Sequence, residues 1–314
     1  MKNNLNVHFQ QSEAWQKFQE SLGRTVFHES GQGWEYRAIL EKARFGLNRL
    51  YCPYGPTANS QQALNDALTS LEKLALTQDA AYIRIQPLGS HFTSHDIESL
   101  GAHAIEYSQP AHTWCIDTSR SEDEIVANMK QNNRNLYRTY EKKGMAYEKS
   151  YDPADITRLT TLLHQVAQHN QITVHPDSYF KQQAAALLPI HAASLHFITY
   201  ENNTVAAALV YEDEHTHYYG HAAADHEHRK LGASTALLAK IIVDTHLHGK
   251  RTCDLYGITT SDDPTHKWAG FTRFKKSFGG YAQDLSETYE YPIRKYRYAA
   301  YRLLRQLRRT LPRI

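Results

Sequence analysis

The sequence predicts an α/β (α+β) protein of two similar, closely packed units, and three observations carry that expectation. At 314 residues the chain is long enough for about two domains of ordinary size. Amphipathic helical stretches alternate with short strand-like stretches throughout, and the order of the first half recurs in the second. No Gly-, Ser- or Pro-rich linker separates the halves, which argues against domains on a tether.

The elements can be justified in order. "SEAWQKFQESLG" (12–23) has a Ser N-cap, then Trp15, Phe18 and Leu22 at helical spacing, and Gly23 as a stop. "TVFHES" and "EYRAILEKARF" alternate like antiparallel strands around a "GQG" turn, and "RLYCPYGPT" is a strand running into a Pro-Gly-Pro turn. "SQQALNDALTSLEKLALTQ" is an amphipathic helix, and "AAYIRIQPL" a strand stopped by Pro87. A helix near 94–101 and the strand "HTWCIDTS" follow. "SEDEIVANMKQNNRNLYRTYEKKG" (121–144) predicts one long helix, with acids in its first turns, bases in its last and Gly144 as its end.

The second half opens with two helices, "PADITRLTTLLHQVAQHN" and "PDSYFKQQAAALLP". Three strands follow within 194–223, joined by an Asn-Asn turn and an acidic turn. "GASTALLAKIIVDTHLHG" is a helix, "RTCDLYGI" a strand, and "GFTRFKKSFGG" (270–280) begins another helix.

Composition narrows the classes. Hydrophobic content of 41% and charged content of 22% are those of a folded soluble protein. A net charge of +2 gives no global field toward nucleic acid. The three cysteines, Cys52, Cys115 and Cys253, form no CxxC pair and read as small hydrophobes in a reducing compartment. The amino end has no apolar signal region, and no run approaches a membrane span, so a cytoplasmic location is expected. Histidines occur as "HTH" (His215, His217) and "HEH" (His226, His228). They match no ligand spacing such as HExxH and lack an accompanying carboxylate set, so a wet strand edge and a loop are expected, and no metal.

Three segments carry chemistry. In "HRKLGASTALL", Arg229, Gly232 and Ser234 approximate the R/Q-x-x-G-x-G/A turn of GNAT-type acetyltransferases, where free N–H groups of a helix start meet a phosphate or carbonyl; the same residues also read as a plain turn. "RTCDLYGI", with Tyr256, ends as Asp-x-x-Gly, and strand carboxyl ends are where ligands sit in open α/β sheets; a buried strand with a turn glycine is the alternative. In "GFTRFKKSFGG", Lys275 flanked by Phe274 and Phe278 is a desolvated cation suited to an oxyanion or phosphate, or else one whose stem passes aromatics on an amphipathic helix.

Taken in order, these segments resemble the carboxyl domain of the FemABX family, aminoacyl-tRNA-dependent transferases that extend peptidoglycan stem peptides. The amino half is similar too. "SEAWQKFQESLG" resembles the family's opening Trp-containing helix, "YCPYGPT" its Y-x-P-x-G-P turn, and "AYIRIQP" its I-R-x-x-P strand. "MKQNNRNLYRTYEKKGM" resembles its Met-Lys-x-x-x-R helix, and "TVHPDSYF" its R-P-x-x-Y-F element. The resemblance runs from about residue 10 to 296.

It implies two tandem GNAT-like domains, 1–149 plus 285–314 and 150–284, with the last helix returning to the first. It implies acyl transfer from aminoacyl-tRNA to the stem-peptide amine of a peptidoglycan precursor, either lipid II or UDP-MurNAc-pentapeptide, with no cofactor and no metal. The transferred residue would be of the Gly, Ala or Ser class. The catalytic lysine falls on Lys275 and its aromatic neighbour on Phe274. Tyr82 and Tyr179 match tyrosines that contact the acceptor, and Arg84, Arg134, His175, Arg229, Gly232 and Tyr256 complete the expected binding set.

The sequence departs from the family at two cations: the arginine of the R-P-x-x-Y-F element is His175, and the opening-helix lysine is Gln19. Arg84, Arg134 or Arg138 would have to compensate. A strand carboxylate once taken as base falls on Gln86, and the family's coiled-coil arm has no room here. The tail, 293–314, has eight Arg or Lys, no acid, and a stripe of Tyr298, Tyr301, Leu304, Leu307 and Leu311. It packs on the first domain or lies against anionic lipid or tRNA phosphates, placing the protein at the inner face of the membrane in the lipid case. Two rivals stay open: a GNAT-type enzyme using acyl-CoA, and a non-catalytic RNA- or membrane-binding protein of the same fold.

Overall fold

A computed structural model describes residues 5–89, 92–106 and 109–310. In chain order they form α1 (Glu13–Ser21), β1 (Thr25–Gly31), β2 (Trp34–Glu41), β3 (Arg49–Cys52), β4 (Thr57–Ala58), α2 (Gln61–Thr77), β5 (Tyr82–Ile85), α3 (Ser94–Ser99), β6 (His103–Ile105) and β7 (His112–Asp117). Then come α4 (Glu122–Asn128), α5 (Gln131–Thr139), β8 (Met145–Ser150), α6 (Ile156–Asn170), α7 (Asp177–Leu187), β9 (Ala193–Tyr200), β10 (Asn203–Glu212) and β11 (Thr216–Ala224). The last are α8 (Ala233–Leu247), β12 (Thr252–Gly257), α9 (Ala269–Lys276), β13 (Tyr281–Asp284), β14 (Thr288–Pro292) and α10 (Lys295–Thr310).

Two compact units result, one of residues 1–111 with 285–314, the other of residues 112–284. The first boundary therefore falls nearer the amino end than residue 149. The reason is strand pairing: β7 lies between β12 and β13, and β8 pairs with β9, so both belong to the second unit's sheet.

The first unit is a mixed sheet ordered β1-β2-β3-β5-β14-β6, with β4 on β2. Ser12 caps α1 by accepting from the Trp15 N–H at 3.1 Å, and Trp15 and Phe18 are buried. The α2 stripe of Leu64, Leu68 and Leu71 is buried against the sheet with Tyr36, Ile83 and Ile85. At the centre of β14 sits Glu290, only 1% exposed. It accepts from Arg84 and from the Tyr298 hydroxyl at 3.0 Å, with the Arg305 guanidinium 3.8 Å away. A buried carboxylate demands such partners, and two of them come from α10, so this network fastens the last helix to the sheet.

The second unit is a sheet ordered β13-β7-β12-β11-β10-β9-β8. β11 and β12 are parallel, but their pairing is confined to Thr216–Tyr218 opposite Thr252–Asp254. β11 runs on to Ala224, so past Tyr218 the two strands part. A bulge helps β11 to turn away: Leu209 faces His221 and Val210 faces Tyr219, leaving Gly220 over. A Cβ on Gly220 would meet the Tyr211 ring at 2.3 Å, so glycine lets that ring lie against the bulge. α8 is buried along most of its length, through Ala236, Leu237, Ile241 and Ile242 among others.

Three sequence expectations need correction. The 121–144 helix is two helices and a 3-10 turn, because Met129 and Lys130 adopt extended ψ values of 150° and 147°. Met129 is buried at that break, and the Lys130 N–H donates to the Ser277 carbonyl at 2.9 Å. Secondly, the hairpin expected at Asn-Asn turns on Glu201 and Asn202, which take the positive φ values. Thirdly, His217 is fully buried rather than at a wet edge, held by Thr245 Oγ1 at 3.1 Å and Glu212 at 3.2 Å. The structure adds four strands beyond those the sequence predicts: β6, β8, β13 and β14. Leu311, in the expected tail stripe, lies outside the described residues.

Replacing Glu290 with Ala leaves Arg84 buried without its acid. Urea unfolding should show a loss on the order of 3 kcal/mol, and Glu290→Gln, which still accepts hydrogen bonds, should lose less. Equal losses, or none, would show that the charge does not matter there.

Candidate active site at the end of β12

The chemistry gathers where β12 leaves its neighbour. Asp254 is its last residue paired with β11, and its side chain is 6% exposed. Its Oδ1 accepts the Tyr256 N–H at 2.6 Å, bending the chain back so that Tyr256 takes a left-handed φ of +66°. The pairing of β12 with β7 is interrupted over the same stretch, between Asp254 and Gly257. Burial pushes the Asp254 carboxyl up to about 6, although the Tyr256 N–H, the Thr113 side chain and the Lys275 charge all favour its anion.

Lys275 comes to this bend from the last turn of α9. Its Nζ donates to the Gly257 carbonyl at 2.6 Å. Burial lowers its ammonium to about 8, and the Asp254 charge opposes that shift. Gly257 thus offers its carbonyl to the lysine because Asp254 has turned the strand end three residues earlier. The exit from β12 is pinned to α9 by the Thr259 N–H, which donates to Thr272 Oγ1 at 3.0 Å.

The "FTRFKKSFGG" segment explains itself in this setting. Phe278 is fully buried and meets Phe274 edge-on at 5.2 Å between centroids, while Phe271 is exposed. Lys276 lies over the Trp114 ring at 5.3 Å. Gly279 and Gly280 both have positive φ, and a Cβ on Gly280 would meet the Cys115 carbonyl oxygen at 2.2 Å. The double glycine therefore lets the chain pass against β7 on its way into β13, and Trp114 Nε1 donates to the Gly279 carbonyl at 2.6 Å.

Other expected site residues lie around or apart from this point. His175 stacks on Tyr179 at 4.3 Å and stands 6.4 Å from His221, on the stretch of β11 beyond the parting. Tyr211 is buried and meets the His221 ring edge-on at 6.3 Å, and burial holds its hydroxyl above its usual range. Arg134 is drawn elsewhere, donating to the Ala127 carbonyl at 2.6 Å at the end of α4. Arg229 and Gly232 sit at the turn before α8. Gly232 takes a φ of +75°, and Arg229 helps line a cavity of about 680 Å³ with His169, Asp225, His226 and Ser234. Tyr82 and Arg84 belong to the first unit, where Tyr82 packs on Tyr298 and Tyr301 and Arg84 binds Glu290.

Asp254 was read in the sequence only as the start of Asp-x-x-Gly. A carboxylate inside an otherwise apolar strand was the available signal. Among the described residues no group of three or more His, Cys, Asp or Glu is placed to hold a metal, and no helix is long and apolar enough to cross a membrane. All three cysteines are buried free thiols.

Two units, each built on a mixed sheet, the second with parallel strands that part, define a tandem GNAT-like α/β fold. Solved structures bear this out. The chain is similar to a crystal structure of FemX (TM-score 0.85, 16% identity, 95% of this chain and 96% of that one). It is similar to L-PGS from Bacillus licheniformis (TM-score 0.57, 12% identity, 96% and 98%). A tandem GNAT protein from the clavulanic acid biosynthesis pathway also matches (TM-score 0.52, 13% identity, 86% and 83%). Within that class, residues 189–306 match the FemAB family, the family to which the sequence motifs point, and the stretch contains β11, β12 and Lys275. Comparison with curated protein sequences gives no match.

The Asp254 charge favours the ammonium of Lys275, so removing it should move the titration downward. Lys275 acetylation by acetic anhydride, followed by peptide mass spectrometry against pH, should have its midpoint near 8. In Asp254→Asn that midpoint should fall by about one unit; a rise, or no change, would uncouple the two groups.

Proposed function

We propose that the chain is a tRNA-dependent aminoacyltransferase of the FemAB type. It moves an amino acid of the Gly, Ala or Ser class from aminoacyl-tRNA to the stem-peptide amine of a peptidoglycan precursor. Members of the family are transferases of this kind, and the match over residues 189–306 supports the class. The observation that carries the reading is the half-buried Lys275 ammonium, held on the Gly257 carbonyl where β12 bends away from the sheet.

The chemistry follows from that placement. The acceptor amine attacks the ester carbonyl carbon at the tRNA 3′ end, and negative charge develops on the carbonyl oxygen. A cation removed from bulk water stabilises that oxyanion more strongly than an exposed one. As the ester C–O bond breaks, the electron pair passes to the ribose oxygen. Lys275, whose proton is held less tightly than on an ordinary lysine, supplies a proton to that oxygen. The attacking nitrogen loses its own proton to solvent or substrate. Phe274, packed edge-on against the buried Phe278, is in this reading the aromatic wall of the site.

His175 and Gln19 stand where cations gripping a nucleotide diphosphate are expected, and Gln19 is buried, accepting from Arg24 at 2.6 Å. Lipid II is accordingly the acceptor to offer first. The cavity beside Arg229 and the start of α8 favours one other reading, an acyl-CoA donor whose phosphates meet that turn.

The deciding assay offers a pool of radiolabelled aminoacyl-tRNAs, and separately acetyl-CoA, to the protein with lipid-linked and nucleotide-linked pentapeptide precursors. Label should reach the lipid-linked precursor from aminoacyl-tRNA. Lys275→Met should lower kcat by about 100-fold or more with little change in KM. Transfer only from acetyl-CoA would replace this function with the alternative, and an unchanged kcat in Lys275→Met would remove the lysine from the mechanism.

A further inference from the structure

The first unit has a largely cationic cavity, whose floor includes Tyr82 and Arg84 of the expected acceptor set, and whose outer wall carries cations that no step of the proposed transfer calls on. It measures about 870 Å³ and lies between the 42–47 loop and α10, with Lys42, Arg44, Arg49 and Arg305 on its walls. Some of this charge is already balanced: Arg49 binds Glu41, and Arg305 faces Glu290. Lys42 and Arg44 are exposed and have no ion-pair partner among the described residues. α10 adds no acid anywhere in Lys295–Thr310. Arg294, just before α10, and Arg297, in its first turn, are held by Asp79.

Apolar groups stand at the rim of the same cavity. Phe45 lines it and is 88% exposed, in a left-handed φ of +59° that is uncommon for an aromatic residue. Leu304, 43% exposed, lines it from α10, and the residue before it, Leu303, is 58% exposed. The loop bearing Phe45 is ordered by its own contacts. The Ala43 N–H donates to Asn48 Oδ1 at 3.0 Å, and a Cβ on Gly46 would meet the Arg297 guanidinium at 3.4 Å.

Cations alone would suit any phosphate. An exposed Phe alone could stack on an unpaired base, but the exposed Leu304 and Leu303 beside it gain nothing from nucleic acid, and all three gain from the boundary between headgroups and acyl chains. We infer that this cavity seats the phosphate of an anionic lipid headgroup while Phe45 and Leu304 enter the boundary beneath it, docking the first unit on anionic bilayers. This inference is independent of the acyl-transfer reading, since it concerns binding and not turnover.

The test is co-sedimentation of the full chain with vesicles of phosphatidylcholine alone, or phosphatidylcholine mixed with phosphatidylglycerol. Binding is expected only with phosphatidylglycerol, weakening as salt rises. The double variant K42E/R44E should bind at least about 25-fold more weakly, from about fivefold per cation removed and more on reversal. Phe45→Ser should weaken binding while leaving its salt dependence unchanged, and it serves as the readout if the charge-reversed variant fails to fold. No binding, equal binding to neutral vesicles, or full binding by both variants would overturn the inference. So would binding of uncharged tRNA that the charge reversal abolishes, with vesicles ignored, which would assign the surface to RNA.

Discussion

The second unit depends on one local constraint: β11 and β12 pair for three residues and then part. Hydrogen bonds that a parallel pair would share past Tyr218 have to be met in some other way. Asp254 meets one by accepting the Tyr256 N–H, at the cost of placing a carboxylate where water hardly reaches. That acid in turn stabilises a cation nearby. Lys275 is held within reach, on a carbonyl that the same bend presents. The fold's irregularity and its chemistry thus have a common origin.

The balance between burial and pairing sets the character of that lysine. Burial alone would drive a lysine toward neutrality, whereas a close carboxylate would fix it as a permanent cation. Here burial is the larger effect and Asp254 the smaller, and the ammonium is left able to give up its proton near neutral pH. The two charges do not form a direct ion pair. A direct pair would neutralise the ammonium, while the Gly257 carbonyl takes one of its three N–H groups and leaves its charge and the other donors for the substrate oxygen of the proposed transfer.

Most helices could be read from the sequence because their signals are local. Ser12, Ser60, Thr93 and Ser121 all cap helices as their position before an apolar period suggests. The "FTRFKKSFGG" segment was readable for a similar reason, since paired glycines and alternating Phe and Lys have few structural uses. What stayed hidden is decided at long range. The helix break at Met129 and Lys130 follows from a hydrogen bond to Ser277, far along the chain. The burial of His217 follows from Glu212 and Thr245, and the strand character of 288–292 from a place between β5 and β6. Arg84 and Tyr82 have side chains suited to a ligand, and only the arrival of α10 shows that other residues occupy them.

The Glu290 network also constrains the order of assembly during synthesis. Residues 112–284 are contiguous, so their sheet can close as soon as they have left the ribosome. The first unit has to wait. β14 fills the space between β5 and β6, and Tyr298, Tyr301 and Arg305 surround the acid that Arg84 needs. Until those residues emerge, β5 is paired only with β3 and Arg84 lacks its counter-charge. Released chains that end near residue 290 should therefore carry a folded second unit and an incomplete first one, with an open sheet edge as the surface that a chaperone would meet.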